Sequence, residues 1–234
     1  MKRRQFLVAG ATAIGATMTS GLRGWAKGQP NVMKFIPQAD LAVLDPHGTP
    51  AYVTRNHAMM VYDTLFGVDS NNVPRPQMVE TSSVANDGKL WTLTLRPGLK
   101  FHDGSPVRGR DVVASLNRWS KKDGFGAALA KVLVKLDAPD ERTITFALSK
   151  PFPLLPDLLG KMASYSTGIM PERLALTDPN VQLKEIIGSG PYRYVMAERV
   201  PGALNVYEKF ADYVPRSEPA DNLAGGKIAS FDRV

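Results

Sequence analysis

The stretch from Leu93 to Trp119, LTLRPGLKFHDGSPVRGRDVVASLNRW, constrains the fold most, because its apolar period changes from two to 3.6 across a pair of turns. From Lys89 to Arg96, Trp91, Leu93 and Leu95 alternate with Thr92, Thr94 and Arg96, the pattern of a strand with one face in a core. Asn86-Asp87-Gly88 supplies a turn ahead of it, Pro97-Gly98 ends it, and Asp103-Gly104 with Ser105-Pro106 makes a second tight turn. Beyond that turn Val112, Val113, Leu116 and Trp119 recur at helical spacing. Asp111 sits in the first turn, where a carboxylate suits the helix dipole.

The rest of the chain alternates in the same way. Val32 to Ile36 predicts a strand that breaks at Pro37 and again at Asp45-Pro46. Met59, Met60, Tyr62, Leu65 and Phe66 predict an amphipathic helix ending near Gly67, with the Met pair as core filling. Lys131 to Asp137, with Val132, Val134 and Leu136 facing one way, and Thr143 to Ser149, with Ile144, Phe146 and Leu148, predict a hairpin turning at Pro139-Asp140. A short helix follows in PFPLLPDLLGKM, and GSGPYRYV and ALNVYEKF read as two further strands. The fold class is therefore α/β of the mixed α+β kind, with antiparallel pieces. A length of 234 residues admits one large domain or two small ones.

The formal charge of +7 suggests a polyanion partner, but Lys2, Arg3, Arg4 and Arg23 fall in the first 26 residues, which hold no acid. Without them the chain is close to balanced, and no basic run interleaved with aromatics occurs later, so nucleic acid is not an expected partner. The same 26 residues run from a basic patch through an uncharged stretch, Gln5 to Leu22, to Gly24-Trp25-Ala26. That order predicts an export signal over 1–26, cleaved after Ala26, and a periplasmic destination. Arg3-Arg4-Gln5-Phe6-Leu7 resembles a twin-arginine signal, with Lys2 and Val8 departing from its pattern, and implies the twin-arginine export machinery as a partner. The absence of cysteine excludes disulfides, thiolate metal sites and cysteine nucleophiles.

Two motifs invite a chemical reading. His102-Asp103 is an adjacent imidazole and carboxylate, but sequence neighbours on a turn point apart more often than they pair, and no G-x-S-x-G elbow supplies a nucleophile. Gly188-Ser189-Gly190 evokes a phosphate loop, yet Pro191 removes the next backbone donor and a strand follows instead of a helix. His47, His57 and His102 lie on unrelated segments, and no metal or other cofactor is implied.

Leu44-Asp45-Pro46, Tyr62-Asp63-Thr64-Leu65-Phe66, the run from Leu95 to Gly104, Asp111-Val112-Val113 with Ser115, and Gly188-Ser189-Gly190-Pro191-Tyr192 together resemble the family of ABC-importer solute-binding proteins that includes oligopeptide-, dipeptide- and nickel-binding receptors. The resemblance implies a non-enzymatic receptor of the two-lobe periplasmic-binding-protein fold, with a small peptide or similar solute and an inner-membrane ABC permease as partners. It implies a hinge lobe in two parts, 27–66 and 176–234, an inserted small α+β domain over 67–175, and an end before the far lobe, as in a truncated copy. His102-Asp103-Gly104 then becomes a structural turn. The loop Gln38, Ala39, Asp40 and Leu41, after the first strand, is the expected solute contact, with main-chain pairing to a peptide. Arg108-Gly109 replaces the usual Thr cap, and YEKFADYVPR replaces the usual Asn and Tyr-Trp pair, which leaves the solute class open. Two other readings compete: a secreted hydrolase with an acidic cleft, and a binding fold turned sensor or chaperone.

Overall fold

The computed structural model of the chain describes residues 30–163 and 165–234. The expected signal over 1–26 lies outside the described residues.

Helix α1 (Tyr52–Val61) buries Val53, His57, Ala58 and Val61 on one face. It stops six residues short of Gly67, because other segments take the backbone groups that a further turn needs. Val61 O accepts from Gly190 N–H (2.9 Å), Asp63 O accepts from Ile169 N–H (2.9 Å), and Asp63 N–H donates to Ser189 Oγ (3.1 Å). Phe66 and its neighbours, read in sequence as the helix end, instead form β1 (Phe66–Val68), antiparallel to β2 (Pro74–Pro76).

The central unit is a four-stranded antiparallel sheet of β3 (Val79–Ala85), β4 (Leu90–Leu95), β5 (Leu133–Asp137) and β6 (Thr143–Leu148), in spatial order β3-β4-β6-β5. The β3–β4 turn holds Asn86, Asp87 and Gly88 at φ of 51°, 52° and 83°, a left-handed run that the Asn-Asp-Gly sequence tolerates. Helix α2 (Gly109–Ser120) packs across the sheet, followed by α3 (Gly124–Ala130). Leu93, Leu95, Ile144 and Phe146 from the strands meet Val112, Leu116 and Trp119 from α2 in one buried cluster. The alternation in β4 and β6 is as the sequence predicts. In β5 it fails: a register shift between Leu133 and Lys135 turns Val134 outward, 70% exposed.

Helices α4 (Leu155–Gly160) and α5 (Glu172–Ala175) lead to β7 (Tyr192–Tyr194) and β8 (Tyr207–Lys209), an antiparallel pair. A second cluster joins Leu41, Leu44, Val53, Val61 and Tyr62 to Met170, Leu174, Tyr192, Tyr194 and Tyr207. The expected strand at Val32 to Ile36 is reduced to a single parallel bridge, Val32 to Arg233, with Met33 N–H donating to Arg233 O (3.0 Å). A strand needs a ladder partner, and among the described residues this segment finds one only at Arg233. Phe35 (58%) and Ile36 (93%) consequently lie open to solvent.

Candidate functional site

A cavity of about 820 Å³ lies between the opening segment, the side of α1 that carries Val53, Asn56, His57 and Met60, and the loop that connects β7 to β8. Val32 to Leu41 form one wall, Val53, Asn56, His57 and Met60 the floor, and Glu198 with Gly202 to Tyr207 the other wall. Aromatic rings back the floor at His57. The His57 ring stands edge-on to Tyr194 at 5.2 Å and tilted to Tyr207 at 5.6 Å, and its Nδ1 lies 3.0 Å from the Tyr207 hydroxyl. Burial pushes His57 down to about 3, so the ring is neutral and offers packing and a dipole in place of charge. At the rim Arg233 pairs with Glu198 at 2.6 Å, and nearby Arg199 Nη2 donates to Leu41 O at 3.0 Å.

All four residues expected to contact solute border this cavity, but in different ways. Gln38 and Ala39 are exposed at its margin. Asp40 is exposed too, with Oδ1 accepting from Gly202 N–H (3.1 Å), which ties the first wall to the second. Leu41, 4% exposed, is buried in the second apolar cluster and anchors the loop there. Sequence reading missed His57, Met60, Asn205 and Tyr207 as cavity residues. Met60, which the sequence predicts as core filling, does both, packing on the cluster and lining the cavity.

The motifs that invited chemistry have structural roles. His102 and Asp103 serve different partners. Gly188 N–H donates to His102 Nδ1 (3.3 Å), so Nε2 carries the proton and donates to Gly190 O (3.0 Å). Burial holds this ring at about 4, neutral at physiological pH. Asp103 accepts from Ser105 N–H (3.0 Å) and Ser105 Oγ (2.6 Å) and so closes the turn. Gly188 and Gly190 lack side chains because the end of α1 occupies the space. A Cβ on Gly188 would lie 2.0 Å from Val61 O, and one on Gly190 2.7 Å from Met60 O. Backbone contact, not phosphate, explains the glycines.

Asp45 of the Leu-Asp-Pro motif accepts from Arg118 Nη2 at 2.5 Å, both side chains being almost wholly buried, and its Oδ1 accepts from His47 N–H (2.9 Å). The pair fastens the opening loop to α2. Asp111 joins two helices: Oδ2 accepts from Arg108 N–H (2.8 Å) ahead of α2, and Oδ1 accepts from Glu172 N–H (2.7 Å) at the start of α5. Among the described residues no group of three His, Asp or Glu is placed to hold a metal ion, and no helix is long and apolar enough to cross a membrane.

Comparison with known proteins gives one consistent result. Residues 73–234 match the family described as bacterial extracellular solute-binding proteins, family 5. The chain is 40% identical over 195 residues to a probable peptide ABC transporter periplasmic-binding protein of Sinorhizobium fredii, covering 83% of this chain and 36% of that protein. It is 31% identical to a glutathione-binding protein of Pectobacterium atrosepticum, covering 73% and 32%. Among solved structures it is similar to the PBP AgaA of A. tumefacien R10 in complex with agropinic acid, with a TM-score of 0.65 and 27% identity over 82% of this chain and 36% of that one. The chain thus spans about a third of the length of the relatives it matches.

Proposed function

The chain belongs to the bacterial extracellular solute-binding proteins of family 5, and from that premise we propose that it provides one wall of a periplasmic receptor that binds a peptide-like solute and presents it to an inner-membrane ABC permease. One observation carries the reading: the loop Gln38 to Leu41 borders a mostly apolar cavity of about 820 Å³, a size suited to a small organic solute. Gln38 and Asp40 offer polar contacts at the margin, and the adjacent segment from Lys34 to Ile36 offers main-chain groups without a ladder partner among the described residues, which an extended peptide can pair with. The likeness to a probable peptide transporter's binding protein supports the solute class. On this reading His102 and Asp103 are structural, since His102 bonds the backbone at Gly188 and Gly190 and Asp103 bonds Ser105.

The same proposal includes the domain division. An inserted unit over 67–175 and a lobe assembled from 27–66 and 176–234 are proposed on the existence of two apolar clusters, which cross these bounds at Leu65, Phe66, Ala114, Met170, Leu174 and Ala175. It also includes export by the twin-arginine route, on the strength of Arg3-Arg4-Gln5-Phe6-Leu7. Replacing both arginines by lysine is expected to leave the precursor in the cytoplasm, and normal export of that variant would reassign it to the general secretory route.

A thermal-shift screen of short peptides, glutathione and opines against the chain tests the binding reading. A binder raises the unfolding temperature with the logarithm of its free concentration above Kd and is recovered unchanged. Ala39→Trp, which crowds the cavity margin, is expected to remove that shift while the ligand-free midpoint stays within about 0.5 kcal/mol. Release of cleavage products from the added peptide would favour a hydrolase and sink the receptor reading.

A further inference from the structure

Three side-chain atoms around the Asp45–Arg118 pair have no protein hydrogen-bond partner although their residues are buried: Tyr62 Oη, His47 Nδ1 and Arg118 Nε. They belong to one neighbourhood. His47 Nε2 donates to Gly168 O (3.1 Å), and Gly168 sits so tightly on Tyr62 that a Cβ there would lie 2.6 Å from Tyr62 Cβ. Arg118 binds Asp45, whose other oxygen takes the His47 N–H. His47 and Tyr62 both feel the charges of Asp45 and Arg118. Buried polar groups in folded proteins are almost always satisfied, and leaving three unmet would forfeit their hydration with nothing in return.

The donor set selects the occupant. Arg118 Nε–H can only donate; His47 Nδ1, with the ring proton on Nε2, can only accept; the Tyr62 hydroxyl can do either. A cation would meet the guanidinium, and an anion would meet the Nδ1 lone pair and the Asp45 carboxylate. Water both accepts and donates, and buried waters typically make about three hydrogen bonds. We propose that one water molecule is bound between Tyr62 Oη, His47 Nδ1 and Arg118 Nε as a fixed component of the joint where the opening loop, the end of α1 and α2 meet. The site is separate from the solute cavity, none of whose lining residues it shares.

A crystal structure of the chain, at a resolution that shows ordered water, is expected to place one peak at about 2.7–3.2 Å from all three atoms. A direct bond from Tyr62 Oη to His47 Nδ1 with no peak overturns the proposal. So does a peak that bromide replaces with an anomalous signal, which identifies an anion. In solution, oxygen-17 relaxation dispersion counts long-lived waters. Tyr62→Phe, which keeps the ring in place, is expected to lower that count by one, and an unchanged dispersion profile overturns the assignment.

Discussion

His102 keeps both of its hydrogen bonds only while neutral, and His47 and His57 are likewise buried in surroundings that disfavour the cation. Their folded values are depressed to about 4, 4 and 3 for His102, His47 and His57, against 6.5 for the free side chain, with burial the leading cause in each. The sign follows: the unfolded chain takes up protons first as pH falls. Stability is therefore full above about pH 6.5 and is lost as pH drops from there through about 4, with a slope approaching about 1.4 kcal/mol per pH unit for each histidine. Urea midpoints measured between pH 7 and 5 check this. His102→Gln is expected to make the slope shallower by one proton, and an unaltered slope would mean that His102 is not held neutral in the fold. Two other single residues carry large expected costs. Gly188→Ala drives a methyl into the Val61 carbonyl and is expected to destabilise by about 1–3 kcal/mol or more. Arg118→Met strands the buried Asp45 carboxylate, at an expected cost of about 3–5 kcal/mol in the same denaturation assay.

At the scale of elements, α2 shows how a sequence departure is absorbed. Arg108 stands at the N-cap with no side-chain oxygen to offer, yet half of a capping box survives, because Asp111 reaches back to the Arg108 N–H. Arg108→Thr would complete the box, a gain of about 1 kcal/mol, and would lose the Arg108–Glu141 pair, whose exposure limits it to less than that. The expected outcome is a modest rise in denaturation midpoint; a fall would show that the ion pair matters more than the cap. Gly109 is fixed by contact, since a Cβ there would lie 2.8 Å from Ala138 Cβ. Elements whose burial follows local alternation, β4, β6 and α2, were legible in the sequence. Those set by distant partners were not. Tyr62, Leu65 and Phe66 fit a helical period, but the loops at 169 and 189–190 claim the backbone between them. Val134 sits in a strand pattern that a bulge reverses. The cavity shared this limit: the loop Gln38 to Leu41 could be singled out in sequence, whereas His57 and Tyr207 meet across 150 residues.

The whole molecule presents an apolar groove beside an incompletely paired backbone segment, and the two features reinforce one another. Phe35 and Ile36 are 58% and 93% exposed, next to the cavity they help to line, and among the described residues the backbone from Met33 to Ile36 has no ladder partner beyond Arg233. Exposed main-chain donors and acceptors flanked by apolar side chains are a template for pairing with another strand. A concentration-dependent rise in apparent mass is therefore expected for the chain in light scattering. Ile36→Lys should suppress it, because a charge at an open edge opposes pairing. Ile36 packs against little, so the unfolding midpoint should stay within about 0.5 kcal/mol. Added peptide competes for the same edge under the proposed function and should lower the apparent mass of the unmodified chain. A monodisperse monomer at all concentrations, or self-association indifferent to Ile36→Lys, would show that this edge is not what holds copies together.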